Sequence, residues 1–131
     1  MPGHDNGQLA LMPTCGSWCI VGDLIQGIGT VVVSSKPYGS MSKYFNSLEK
    51  IISLKPEVIY PSHGIAMGGV FRLEKTYEHR LKREEKVAEL LDKGFSEQQM
   101  LEQIYPGLDE RLRPYALINI IGHIEKLQEV N

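Results

Sequence analysis

The sequence has no long apolar run, few cysteines and no excess of either charge. Its longest apolar candidate, Ile118 to Ile121, is a few residues inside a helical pattern. A membrane helix needs roughly 18 apolar residues, so no membrane span is expected. A net charge of −2 gives no reason to expect a general polyanion binder. The two cysteines, Cys15 and Cys19, flank a turn at C-x-x-x-C spacing, which is not that of a zinc ribbon. Met1 is followed at once by Pro2, Gly3 and His4, without the apolar stretch of a secretory leader. A reduced, cytoplasmic protein is therefore the expectation. With 131 residues, 42% of them hydrophobic, the chain can bury a core without disulfides or a structural metal.

Composition changes along the chain. Residues 1–69 are rich in glycine and β-branched residues, whereas residues 70–131 read as helices with few glycines. No Pro/Ser linker separates the halves, so the boundary is expected at the start of a helix near Val70. In the first half, Gln8–Met12 and Trp18–Val21 read as a hairpin around Pro13–Ser17. An irregular loop follows from Gly27, with an extended piece to Val33. Tyr44, Phe45, Leu48, Ile51 and Ile52 mark one face of a helix over about 40–54, stopped by Lys55-Pro56. Val58-Ile59-Tyr60 is a short apolar strand, and a helix between strands predicts a layered α/β arrangement.

The second half opens with a helix over about 70–93, with Leu73, Tyr77, Leu81, Ala88 and Leu91 as its expected buried stripe. Ser96 and Gln99 form a capping-box pattern, with Phe95 placed to staple onto Met100. A last helix from about Pro114 carries Leu117, Ile120, Ile121, Ile124 and Leu127 on one face. Three such helices fit a helix-turn-helix or winged-helix core. The chain stops after Glu129-Val130-Asn131, where a wing hairpin is expected.

His4, Asp23 and His63 stand out together. Each lies in a glycine-containing turn, and Asp23 and His63 each follow a short apolar strand, where ligands gather in α/β layers. Their nitrogen and oxygen donors suit zinc, manganese or iron. Alone, any one of them is more often an ordinary surface, core or turn residue.

Pro2-Gly3-His4-Asp5, Val21-Gly22-Asp23 and Pro61-Ser62-His63-Gly64 resemble, in order, the later motifs of the metallo-β-lactamase superfamily. Gly27-Ile28-Gly29-Thr30, Tyr44 to Leu48, His79 to Glu84 and Ile104-Tyr105-Pro106 extend the resemblance to a branch of lactamase-like hydrolases and endoribonucleases with a winged-helix-like tail. The resemblance implies half of an αββα sandwich over residues 1–69, followed by a small all-α, winged-helix-like domain over 70–131. It further implies that His4 binds one metal, His63 the other, and that Asp23 bridges both as the catalytic carboxylate. Two zinc ions occupy the intact family site. The family's first motif, H-x-H-x-D-H, does not occur in this sequence, so the set of ligands is partial. Ser62 stands where the family has glycine.

The expected function is that of a metal-dependent hydrolase fragment, inactive alone. A non-catalytic interaction or scaffold module, or the RNA-contacting tail of a metallo-ribonuclease, is the alternative. The basic residues Arg72, Lys75, Arg80, Lys82, Arg83 and Lys86 alternate with glutamates and read as a solvated helix face, as does His79. Arg80 or Arg83 is left to meet RNA phosphates; sequence-specific DNA binding finds little support, because Lys126 is the one basic residue after Pro114. His123 reads as a packed or partly exposed structural histidine. Half a sandwich also leaves the sheet face of Leu9, Leu11, Trp18, Ile20, Val58 and Tyr60 uncovered, so the expected partner is a second copy of the chain or the missing N-terminal half.

Overall fold

Strand alternation decides which side of the sheet is covered. The structure, a computed structural model, describes residues 1–26 and 31–129. Strand β1 (Trp18–Gly22) turns Cys19 and Val21 inward, and both are fully buried. Helix α1 (Met41–Leu54) crosses over to strand β2 (Val58–Pro61), which pairs with β1 in parallel. Trp18 lies opposite Val58 and Cys19 opposite Ile59, and the register slips between Ile20 and Gly22. A short strand β3 (Met67–Gly68) adds to β2 antiparallel, giving the order β1-β2-β3.

Helix α1 begins where Ser40 accepts a hydrogen bond from the Lys43 N–H, and ends at Lys55 in the left-handed conformation, just before Pro56. Its Tyr44, Phe45, Leu48 and Ile51 are buried, as the spacing predicts, and join Cys19, Val21 and Ile59 in the first core cluster. The opposite sheet face has no such cover: Ile20 is 44% and Tyr60 45% exposed. Leu9 and Leu11 are exposed as well. The expected hairpin reduces to a single antiparallel bridge between Leu11 and Ile20, so Gln8–Met12 is not a strand. Cys15 and Cys19 are both free thiols.

Helix α2 (Phe71–Asp92) links two cores. Leu73 belongs to the first, while Val87 and Leu90 belong to the second, with α3 (Glu97–Ile104) and α4 (Arg113–Glu129). The capping box at Ser96 and Gln99 is formed in both directions. The buried stripe of α2 differs from the expected one: Arg80 and Glu84 are buried, whereas Leu81 is exposed. On α4 the buried residues include Asn119, Gly122 and His123 beside Ile120 and Ile124. Among the described residues no strand follows α2, and no helix is long and apolar enough to cross a membrane. The expected loop at Gly27–Thr30 and the chain's last two residues, Val130 and Asn131, lie outside the described residues.

Candidate metal centre

The turn carrying His4 is tied to the start of α1. Gly3 has φ of +136°, and a Cβ there would lie 2.3 Å from the Tyr44 Cα. That approach lets the Ser40 N–H donate to the Gly3 carbonyl at 2.8 Å, and Ser47 Oγ donate to the Pro2 carbonyl at 2.6 Å. The turn that carries His4 is therefore tied down by α1. Its Nδ1 lies 2.5 Å from the Val32 carbonyl. A carbonyl oxygen only accepts, so Nδ1 is the donor in this bond and Nε2 is the nitrogen left to face Asp23 or a metal.

Asp23 leaves the end of β1 at Gly22, whose φ of +60° turns the chain where the parallel register slips. The Ser62 N–H donates to the Gly22 carbonyl at 2.8 Å, which brings the turn after β2 alongside the turn after β1. The three residues singled out by sequence thus converge. His63 Nε2 lies 3.2 Å from Asp23 Oδ1, and His4 Nε2 lies 3.7 Å from Asp23 Oδ2. Both histidines meet one carboxylate, one at each oxygen.

Asp23 Oδ1 is buried, and despite the nearby imidazole it has no hydrogen-bond partner among the described residues. The distance is short enough, but the ring and the carboxylate are not aligned for a shared proton. A carboxylate facing ring nitrogens without shared protons is resolved by a further proton on a ring or by a cation between them. The donor chemistry therefore fits a divalent metal. The set is short: among the described residues no three His, Cys, Asp or Glu side chains close up into a metal-holding group. His4, Asp23 and His63 would supply part of a coordination shell and need further ligands.

The comparisons agree with this reading of the fold. A metallo-β-lactamase family protein from Thermus thermophilus superposes on 98% of the chain with a TM-score of 0.79 and 23% identity, the match covering 42% of its own length. A β-lactamase domain protein from Burkholderia ambifaria does so over 98% of the chain with a TM-score of 0.83, at 23% identity and 41% of its own length. The fold is that of the metallo-β-lactamase family. Curated relatives of the chain include "Beta-lactamase-like protein 2 homolog" of Drosophila melanogaster, 29% identical over 98% of the chain and 44% of the relative. The Caenorhabditis elegans protein of the same name is 30% identical over 96% of the chain and 42% of the relative. "Probable metallo-hydrolase YqjP" of Bacillus subtilis is 26% identical over 98% and 43%. The chain spans less than half the length of each of these relatives. No protein-family model matches it.

Sequence reasoning missed what holds the candidate site in place. The Val31–Val33 segment, which anchors His4 through the Val32 carbonyl, is gripped by the helices. Arg80 Nη2 donates to the Val31 carbonyl, and the Val33 N–H donates to Asn119 Oδ1 at 2.8 Å. The Arg80 guanidinium also lies over the Tyr44 ring, 5.3 Å from its centre, and the Tyr44 hydroxyl donates to the Leu24 carbonyl at 2.6 Å, one residue past Asp23. Arg80 is 4% exposed, so it does not belong to the solvated basic face. A signal for this existed: Leu73, Tyr77, Arg80, Glu84 and Val87 follow helical spacing, which puts Arg80 and Glu84 on the apolar side. His79 is exposed, as its charged surroundings suggest.

Proposed function

We propose that this chain carries the later metal ligands of a metal-dependent hydrolase, with His4, Asp23 and His63 holding one side of a dinuclear site. The observation that supports the reading is the Asp23 carboxylate flanked at both oxygens by imidazole Nε2 atoms, one oxygen buried without a hydrogen bond. The Bacillus relative, named as a probable metallo-hydrolase, points the same way. In this reading His4, Asp23 and His63 would help to hold zinc, with manganese or iron as substitutes, and such a metal would supply Lewis acidity for activating a water in hydrolysis. The chain's own part is to hold the His4 ring with Nδ1 toward the Val32 carbonyl and Nε2 toward Asp23, and to aim the Asp23 carboxylate by the Gly22 turn. The H-x-H-x-D-H ligands are not in this sequence, and a catalytic zinc usually has three protein ligands. The chain by itself is therefore a weak metal binder without hydrolase turnover.

Calorimetric titration of the chain with zinc and manganese tests the ligand set. Weak binding that Asp23→Ala removes supports it, and binding unchanged by Asp23→Ala and His63→Ala overturns it. Assays against nitrocefin, a thioester and single-stranded RNA test the inactivity. Metal-dependent turnover abolished by Asp23→Ala would overturn that part.

A further inference from the structure

A groove of about 640 Å³ opens where α2, the turn after α3 and the first turns of α4 meet. Pockets of a few hundred to about 1,000 Å³ are the usual size for small organic ligands. Most of its wall is apolar or aromatic, from Tyr105, Leu108, Leu112 and Tyr115. Of the described lining residues only His79 and Arg83 are basic, and none is acidic.

Arg83 is the unusual member. Its guanidinium stacks 4.5 Å from the centre of the Tyr105 ring, which fixes the plane of the fork. Its Nε is buried and has no hydrogen-bond partner among the described residues. The neighbouring buried or half-buried cations are satisfied: Arg80 by the Val31 carbonyl, Lys126 by Glu84 at 2.6 Å. The Arg83 Nε has no surface of its own, so an anion in the groove would meet the outer nitrogens of the fork, which make no ion pair among the described residues. Partial desolvation of its ring and the neighbouring cations Arg83, Arg80 and Lys82 hold His79 below the usual histidine pKa, so it adds little positive charge near pH 7. One full cation calls for one negative charge, and the walls call for an apolar body.

We propose that this groove binds an organic monocarboxylate with an aryl or acyl body, its carboxylate on Arg83 and its body against Tyr105, Leu108, Leu112 and Tyr115. The site stands apart from the metal reading, since none of His4, Asp23 and His63 lines it. The two meet at Val32, which lines the groove and whose carbonyl holds His4, so a bound carboxylate lies beside the backbone that anchors that histidine.

Metal-free calorimetry and amide NMR of the full chain with 4-phenylbutyrate and octanoate test the site, with 4-phenylbutanol, inorganic phosphate and a single-stranded oligonucleotide as comparisons. Both carboxylates should shift the resonances of Tyr105, Leu108, Leu112 and Tyr115, while the alcohol and phosphate bind much more weakly. Arg83→Gln should weaken carboxylate binding roughly tenfold or more, the loss expected for a charge-assisted pair. Leu112→Glu, at a half-exposed position of the wall, should do the same by repulsion and guards against a folding defect in the first variant. The proposal is overturned if the carboxylates leave the groove unshifted at millimolar concentration, or if both variants bind them normally. Tighter binding of the alcohol, phosphate or oligonucleotide in the groove, or shifts confined to Trp18, Ile20 and Tyr60, overturns it equally.

Discussion

The side chain of Asn119 accepts a 2.8 Å hydrogen bond from the Val33 N–H, 86 residues earlier in the chain. Its amide nitrogen lies 3.5 Å from the Val31 carbonyl, which also takes Arg80. Between those two anchor points sits Val32, whose carbonyl fixes the His4 ring. Helices α2 and α4 thus act as a clamp on the segment that orients a candidate metal ligand, although neither helix carries a ligand itself.

Asn119→Ala should cost about 1–3 kcal/mol in urea unfolding, because it leaves the Val33 N–H buried without a partner. If the clamp orients His4, the same variant should also change the His4 ring. In nitrogen NMR near neutral pH the Nδ1–H tautomer should give way to a mixture. An unchanged ring signal in a destabilised variant would show that the clamp serves stability alone.

A second buried polar group ties α2 to α4. His123 is fully buried, and its Nδ1 lies 3.2 Å from Glu84 Oε1, while Lys126 holds Oε2 at 2.6 Å. Burial, outweighing the Glu84 hydrogen bond, lowers the His123 pKa from 6.5. Its Nε2 has no partner among the described residues, so a second proton there would be a buried, unpaired donor. Burial alone would raise the Glu84 pKa, but the hydrogen bonds from His123 and Lys126 together outweigh it and bring the pKa below 4.5. Both groups therefore bind protons more readily in the unfolded chain. The His123 contribution is full above pH 6.5 and is lost as pH falls below it; the Glu84 contribution is full above pH 4.5 and is lost as pH falls through the lowered value. His123→Gln should flatten the pH dependence of stability between about pH 5 and 7. An unchanged slope in urea melts across that range would refute the assignment to His123.

Two glycines fix the turns that bring the candidate ligands together. Gly22→Ala must adopt left-handed backbone and displace the flexible end of Gln8, whose Nε2 would lie 2.8 Å from the new Cβ. It should cost about 1–2 kcal/mol. At Gly3 the obstacle is the Tyr44 backbone itself, which cannot swing aside. Gly3→Ala should therefore be the more damaging of the two in urea melts. Equal losses would mean that the His4 turn yields easily and is not held by α1.

Local signals were legible and distant ones were not. The α1 face, the Lys55-Pro56 stop and the Ser96–Gln99 capping box depend on residues within a few positions of one another, so spacing reveals them. His4, Asp23 and His63 stand out by their glycine-containing turns, the last two at strand ends, and the structure brings them together. Gln8–Met12 has strand-like residues but gains one bridge only, because strand pairing depends on a partner that local sequence does not contain. Asn119, Arg80 and Glu84 look like surface residues one at a time, and His123 reads as packed without its partner being visible. Their burial depends on partners far along the chain, such as Val33 for Asn119 and Glu84 for His123.

The uncovered face of the sheet gives the last prediction. Trp18, Ile20 and Tyr60 line a shallow cleft on the side away from α1, and Leu9 and Leu11 stand exposed. On the other side Cys19, Val21 and Ile59 are sealed by the helix. Contiguous apolar surface of this kind is unusual on a lone soluble domain, and burying it is favourable at roughly 25 cal/mol per Å² before the costs of association. Two copies related by a two-fold axis can each cover the other's face, and this is the commonest arrangement for identical chains. The chain should therefore self-associate at micromolar concentration in sedimentation or light scattering. Ile20→Lys with Tyr60→Lys should return it to a monomer, since both side chains point away from the core and their charges would repel across the axis. A chain that is monomeric before any substitution would refute the dimer. A dimer that survives both lysines would move the interface elsewhere.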